Sequence, residues 1–360
     1  MAQARARLRG GDGRRQHAPA RAAHQEPTHL VPRVVAIIGC ARSGSTLLEG
    51  KLQQAADVTA LGEVAHLWSR GFLRDELCGC GVNFSRCEFW TEVIAKGFGK
   101  VHAADARRFD AAFRAAVGGV VHLETRRRRP AGDPLFREIA RELYLAAHQV
   151  GGGKTLLDSS KPARFAASLE ASGAACVLPL HLFRSSAPNV QSLRTSKPRP
   201  QSQDGSYAMM PSSKTLAHAI AHWIFRNAQA SDFMRRHDGR SLTIHFDDFR
   251  RNVQPQLQAI MARLELPARR SGARPTWHSV SGNPVRFERD GLDVRVEERA
   301  TACLNAIERA IVALTTTRQQ MRLEACALAH VLHPTQSSST GDPAPGAATF
   351  ARGSDPQGAT

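Results

Sequence analysis

The sequence predicts a three-layer α/β/α fold with a central parallel sheet. Val34–Ile38 is an unbroken, β-branched apolar run, which suits a strand buried on both faces. Gly39–Gly44 then turns, and Ser45–Gln54 carries leucines at helical spacing, so strand, tight loop and helix follow one another. The same alternation recurs at Lys154–Asp158, Ala174–Phe183 and Ser241–Phe246, and repeated βα units close into parallel sheets with helices on both sides.

Taken in order, residues 1–30 are rich in Arg, Ala, Gly and Gln with no apolar periodicity, and are expected to be a disordered basic tail. They are Arg-rich and acid-poor like an organelle transit peptide, but Gly10-Gly11-Asp12-Gly13 and the absence of an amphipathic face weigh against that reading. One globular domain is expected over residues 31–332, followed by a Ser/Thr/Pro/Gly tail at 333–360. Apolar spacing predicts helices over 104–117, 133–149, 162–171, 214–236, 256–264 and much of 293–330. Arg126–Pro130 reads as an exposed link. Pro179 argues for an edge, a bulge or a break in its strand. Lys197–Ser213, with three Pro and several Ser and Gln, reads as a mobile loop that does not pack.

Net charge is +17 over 360 residues, but much of it is local: Arg5–Arg21 holds six Arg against one Asp, and Arg126–Arg129 is four Arg in a row. With aromatic residues at 6% and no nucleic-acid recognition motif, basic tails on an enzyme explain the charge better than a specific nucleic-acid partner. No apolar run approaches the ~20 residues that span a bilayer, so no membrane span is expected and a cytoplasmic location is the default. Of seven Cys, Cys78, Cys80 and Cys87 cluster as Cys-Gly-Cys-Gly-x5-Cys-x-Phe-Trp. They could hold zinc with a fourth ligand such as His66, pair as a disulfide, or stay free; no metal enters the expected site.

Gly39-Cys40-Ala41-Arg42-Ser43-Gly44-Ser45-Thr46 has the spacing of a Walker phosphate loop, with backbone N–H groups and a helix N-terminus facing an anion. The Lys that follows the second Gly in nucleotide kinases is replaced by Ser45, and the loop's one cation is Arg42. A loop with Arg inside the turn and no terminal Lys resembles the 5′-phosphosulfate loop of sulfotransferases that use 3′-phosphoadenosine 5′-phosphosulfate (PAPS), with the carbohydrate and tyrosylprotein branch nearest. The resemblance covers residues 34–290. It implies a phosphate-loop type of α/β fold and binding of PAPS by Gly39, Arg42, Ser43, Gly44, Ser45 and Thr46, with no metal required. Arg184, followed eight residues later by Ser192, matches the family's 3′-phosphate pair, although Pro188 departs from the usual Arg-x-Pro context. Gly282 and Arg286, in Ser-Gly-Asn-Pro-x-Arg-Phe, resemble the C-terminal donor loop. Gly62-Glu63 resembles the tyrosylprotein stretch whose Glu is the general base, which makes Glu63 the expected base and His66 its substitute. In Asp158-Ser159-Ser160-Lys161, Lys161 is expected to neutralise charge on the transferring group, with Ser160 in support and Asp158 orienting them or capping the next helix.

The expected activity is sulfuryl transfer from PAPS to a hydroxyl or amine of a small-molecule, carbohydrate or tyrosyl-peptide acceptor. Glu63, Arg42 and Lys161 are the catalytic candidates. The competing readings are a kinase that uses Mg-ATP and a non-catalytic polyanion-binding protein.

Overall fold

The computed structural model describes residues 31–118, 133–203, 205–237, 239–270, 275–287 and 304–332. The Arg-rich tail at 1–30, the Arg126–Pro130 link, Cys303, the first part of the 293–330 helix and the tail at 333–360 lie outside the described residues. In chain order the elements are β1 (Arg33–Ile38), α1 (Ser45–Ala55), β2 (Val58–Gly62), α2 (Glu88–Phe98), α3 (Ala103–Val117), α4 (Pro134–Val150), β3 (Thr155–Lys161), α5 (Ala163–Ala171), β4 (Cys176–Phe183) and α6 (Ser186–Arg194). There follow β5 (Pro198–Pro200), β6 (Tyr207–Met209), α7 (Leu216–Met234), β7 (Leu242–His245), α8 (Phe246–Arg251), α9 (Val253–Arg263) and α10 (Ala306–Leu332).

Five strands make one parallel sheet in the order β2-β3-β1-β4-β7, so β1 is central and both faces are covered. Its side chains alternate between two cores. Val34, Ala36 and Ile38 pack with residues of α2, α3, α4, α5 and α7, while Val35 and Ile37 pack with Leu48, Leu52, Leu257 and Ile260 of α1 and α9. The helices start where local chemistry starts them. Asp133 accepts from Leu135 N at 3.0 Å with Pro134 in the first turn of α4, and Asp105 of α3 accepts from His102 N at 3.2 Å.

The chain leaves β1 for β2 and β3 on one side and then crosses to β4 on the other. This reversal of strand order sets the carboxyl ends of β3, β1 and β4 side by side, where ligands of open α/β sheets bind.

Several expectations need correction. Val58–Gly62 is a strand that the sequence reading left unassigned, and α2 and α8 are likewise additional helices. Pro179 does not break β4. It pairs in register with Ala36, and β7 takes up the other side only from Leu180, so Pro179 still sits on an edge. Lys197–Ser213 is not an unpacked loop. It holds the β5–β6 hairpin, whose Arg199 is 2% exposed and donates from Nη2 to Glu76 Oε1 at 2.9 Å. Among the described residues no helix is long and apolar enough to cross a membrane.

Candidate active site

The loop after β1 is held at both ends. Gly39 N donates to the Lys161 carbonyl at 2.9 Å, which ties it to β3. Buried Asn189 of α6 accepts from Cys40 Sγ at 3.4 Å and donates from Nδ2 to Ala41 O at 3.3 Å. Gly44 adopts φ 95°, and a Cβ there would sit 2.0 Å from the Phe246 ring, so the loop closes only with glycine at this point. Ser45 and Thr46 then open α1, and as first-turn residues their amides have no helical carbonyl to accept from them.

Arg42, at φ 66°, reaches across to α6. Its Nε donates to Ser192 Oγ at 3.2 Å and its Nη1 lies 3.0 Å from Met210 Sδ. Arg184 immediately follows β4, with its guanidinium 5.7 Å from the Phe246 ring centre and its buried Nε without a hydrogen-bond partner among the described residues. Asp247, one residue beyond Phe246, accepts from Ser185 Oγ at 2.8 Å. Burial lowers the pKa of both arginines; Glu63 opposes the shift at Arg42 and Asp247 at Arg184. Arg42 therefore ties the loop to Ser192, and Arg184 lies near enough for its charge to lower the pKa of Arg42 further. Near α6, Arg194 is paired with Glu308 Oε1 at 2.7 Å, and Lys197 is exposed.

Glu63 follows β2 and faces Lys161, the last residue of β3, which pairs with Ile38 of β1. Lys161 Nζ donates to Glu63 Oε1 and, at 3.2 Å, to Ser159 O. The other carboxylate oxygen accepts from Ser281 Oγ at 3.1 Å and lies 3.6 Å from Arg70 Nη1, which also donates to Ser281 Oγ. Burial alone would raise the Glu63 carboxyl, but Lys161 and Arg70 outweigh it and hold it well below the usual carboxylate range. His66 Nε2 is 3.8 Å from Glu63 Oε2, and burial together with Arg70 lowers its pKa to about 4, so near pH 7 it is neutral and adds no charge.

Of its two expected roles Asp158 takes the first: it orients Ser160 and does not cap α5. Its Oδ1 accepts from Ser160 N at 2.8 Å and from Ser160 Oγ, and its Oδ2 accepts from Tyr144 OH. Ser160 Oγ also accepts from Ala65 N at 2.9 Å, so that hydroxyl braces the backbone beside Glu63. Gly282 and Asn283 lie over Thr46, whose hydroxyl accepts from Asn283 N at 3.3 Å and which is 7% exposed. Arg286, 3% exposed, donates from Nη2 to Leu77 O at 2.8 Å; its Nε and Nη1 are buried without hydrogen-bond partners among the described residues, and burial lowers its pKa to about 10. His66 does not join the cysteines as their fourth member; His278 does. No disulfide links them: Cys78, Cys80 and Cys87 are all free.

Sequence reasoning missed Glu49, Asn189, Arg70 and Ser281. Glu49 is 1% exposed on α1, accepting from Gly62 N at 2.7 Å and from Ser159 Oγ at 2.8 Å, so one carboxyl joins the ends of β2 and β3 to the loop helix. An acidic residue in phase with Ser45, Leu48 and Leu52 on the buried face of α1 was the available signal. A cavity of about 250 Å³ lies between Ser185–Pro188 and α10 and includes none of the cradle residues.

No protein-family model and no curated protein matches the chain. Among solved structures it is similar to the sulfotransferase domain from the Synechococcus PCC 7002 olefin synthase, at 17% identity and a TM-score of 0.45 over 81% of this chain and 98% of that chain. So distant a likeness does not bear on chemistry, and a functional reading rests on the residues above.

Proposed function

We propose that the protein is a PAPS-dependent sulfotransferase. The observation that supports this most is the Arg42–Ser192 contact, which joins a lysine-free phosphate loop to the Arg184/Ser192 pair in one basic site. Such a site suits a donor with phosphate groups at both the 5′ and 3′ positions, each met by a charge-assisted donor. Thr46 argues against Mg-ATP. A Walker Thr presents its hydroxyl to Mg²⁺, whereas here it is buried under Gly282 and Asn283.

In this reading Gly39, Ser43, Gly44, Ser45 and Thr46 cradle the 5′-phosphosulfate, and Arg184 with Ser192 holds the 3′-phosphate. Arg42 lies between the two groups. Lys161 leaves its pairing with Glu63 for the bridging oxygen and steadies the charge that collects on the departing 5′-phosphate. Losing that partner raises the affinity of the Glu63 carboxylate for a proton, so donor binding arms the base. The acceptor oxygen or nitrogen attacks sulfur, its proton passes to Glu63, the bond from sulfur to the bridging oxygen breaks, and 3′-phosphoadenosine 5′-phosphate leaves. The acceptor is a hydroxyl or amine of a small molecule, carbohydrate or tyrosyl peptide, and the location cytoplasmic.

The test is thermal unfolding with 3′-phosphoadenosine 5′-phosphate, AMP or Mg-ATP, followed by transfer of labelled sulfate from PAPS to a panel of phenols and sugars. At 100 times Kd the bisphosphate is expected to add about 2.7 kcal/mol, several degrees, and Arg184→Ala to abolish that gain while AMP stays weak. Stabilisation by Mg-ATP with indifference to the 3′-phosphate would replace this reading with a kinase.

A further inference from the structure

Cys78 and Cys80 sit on a short hairpin in which Leu77 bridges Asn83, Cys78 N donates to Val82 O at 2.8 Å and Gly81 N to Cys78 O at 2.9 Å. Cys87 ends the next turn, just before α2, and His278 arrives from the far end of the chain. One ligand atom from each of these four residues lies within 4.8 Å of every other. Cys80 Sγ is 3.7 Å from Cys87 Sγ, and Cys87 Sγ is 3.3 Å from His278 Nδ1. With zinc–sulfur bonds near 2.3 Å and zinc–nitrogen bonds near 2.0–2.1 Å, a tetrahedron has sulfur–sulfur edges of about 3.8 Å and sulfur–nitrogen edges of about 3.6 Å. The side chains thus already stand at the spacing of a closed tetrahedral site.

We propose that Cys78, Cys80, Cys87 and His278 bind a structural zinc ion that staples the 77–87 segment to the 277–287 segment. The proposal is independent of the sulfotransferase reading. Three thiolates and a neutral imidazole are a soft donor set with no position left for water, which fits a structural rather than a catalytic ion.

The surroundings are built for that set. Gly79 N donates to Ser279 O at 2.9 Å, and a Cβ on Gly79 would lie 2.6 Å from Ser279 Oγ and 2.7 Å from Trp277 O, so only glycine between the two cysteines lets the hairpin meet the 277–287 segment. Phe89 stacks on the His278 ring at 5.0 Å and 15°, and Trp90 Nε1 donates to His278 O at 2.6 Å. The Phe-Trp that follows Cys87 thereby holds the histidine that completes the set. Zinc with three thiolates carries one net negative charge. The buried guanidinium of Arg286, bonded to Leu77 O beside Cys78 with two donors lacking hydrogen-bond partners among the described residues, offers the compensating cation.

The staple holds what Glu63 needs. Val280 N donates to Leu61 O at 2.8 Å and Glu63 N donates to Val280 O at 2.8 Å, so the 277–287 segment extends the sheet beside β2. Ser281 then meets Glu63, and Gly282 and Asn283 meet Thr46.

The test is metal analysis of the full-length chain, purified without chelators or an affinity tag, by mass spectrometry of the elements. About one zinc per chain is expected, falling to a small fraction in Cys80→Ser and in His278→Ala but unchanged in Cys176→Ser, an exposed thiol outside the cluster. Cobalt substituted for zinc should show the visible bands of a tetrahedral ion and thiolate-to-metal charge transfer. These wild-type measurements decide the matter even where a variant fails to fold. Protein that is free of metal, that takes up no cobalt, or whose intact mass is two hydrogens short through a disulfide among these cysteines overturns the proposal.

Discussion

The loop after β1 and the cysteine hairpin both lead to Glu63, the loop through Lys161 and the hairpin through the 277–287 segment, but they are encoded in opposite ways. The loop is a backbone shape, set by the six consecutive residues Gly39–Gly44 between β1 and α1. The hairpin's site is a set of side chains whose last member, His278, is 191 residues from Cys87. Local sequence can specify the first because turns and helix starts are short-range effects. It cannot specify the second, because only the folded sheet decides which remote segment lies beside β2. The loop takes its shape from its own glycines and is braced by Lys161 O and Asn189, whereas the 277–287 segment depends on partners from β2, from the hairpin and from α2.

The sharpest way to break the comparison is at Glu63, where the two regions touch. Glu63→Gln should lower kcat/KM by about 10²–10⁴-fold, the usual worth of a general base, while affinity for 3′-phosphoadenosine 5′-phosphate holds or improves as a negative charge leaves the basic site. A structural role alone would weaken donor binding and stability together. Calorimetry of ligand binding beside kinetics separates the outcomes. Because Lys161 and Arg70 hold the Glu63 carboxyl low in the free enzyme, kcat/KM should show no acid limb from Glu63 between pH 5 and 7. An acid limb inside that window would point to a group other than Glu63, and His66, held to about 4, would not supply it either.

Glu49 tests the loop side. Burial pushes its carboxyl up to about 7 from an ordinary 4.5. Between those values the folded protein keeps a proton that the unfolded chain has released, so stability falls as pH rises through the window, by roughly 3 kcal/mol for a shift of this size. Glu49→Gln imitates the protonated form: its carbonyl still accepts from Gly62 N and its amide can donate to Ser159 Oγ. Urea unfolding at pH 5 and pH 8 should show wild type losing stability across that range and the variant nearly flat, with the variant the more stable at pH 8. Parallel curves would mean that the carboxyl is solvated and does not join the two strand ends.

How far each region was legible follows from the same contrast. The parallel sheet, its central strand and the loop could be read from apolar runs and glycines, and four of the five sheet strands were placed. β2 escaped because Val58–Gly62 is short, ends in glycine and reads like the loop that follows it. The β5–β6 hairpin escaped because its stability comes from the buried Arg199–Glu76 pair, 123 residues apart, and not from its own polar, Pro-rich sequence. In the site, Arg42, Glu63, Lys161, Arg184 and Ser192 were named from the resemblance of their motifs to those of PAPS-dependent sulfotransferases. That Arg42 reaches Ser192 and that Ser281 and Arg70 clamp Glu63 are facts of tertiary packing. For the cysteines the missing ligand was a histidine two hundred residues away, and His66 was merely the near one.

Within the basic site, Arg42 and Ser192 should be coupled. Arg42→Ala removes a charge-assisted donor and is expected to weaken 3′-phosphoadenosine 5′-phosphate by about 10–100-fold, with Ser192→Ala costing about tenfold. Their contact at 3.2 Å makes the double variant less than the product of the two by at least 0.5 kcal/mol. Strict additivity would place the two side chains on separate parts of the ligand.

The smallest effect expected lies on the hairpin side and asks whether the two regions communicate. Trp90→Phe keeps the buried ring, which stacks at 5.6 Å on Phe84, but loses the 2.6 Å bond to His278 O. Loss of one supporting hydrogen bond should weaken zinc by about tenfold and leave the fold intact. Hydrogen exchange then reads the consequence at two amides, Val280 and Glu63, whose bonds across β2 depend on the seating of His278. Faster exchange there, with Gly39 and the first turn of α1 unchanged, would show that the staple governs Glu63 through the 277–287 segment alone. Faster exchange at Gly39 as well would mean that the loop leans on the staple and that the two regions are a single cooperative unit.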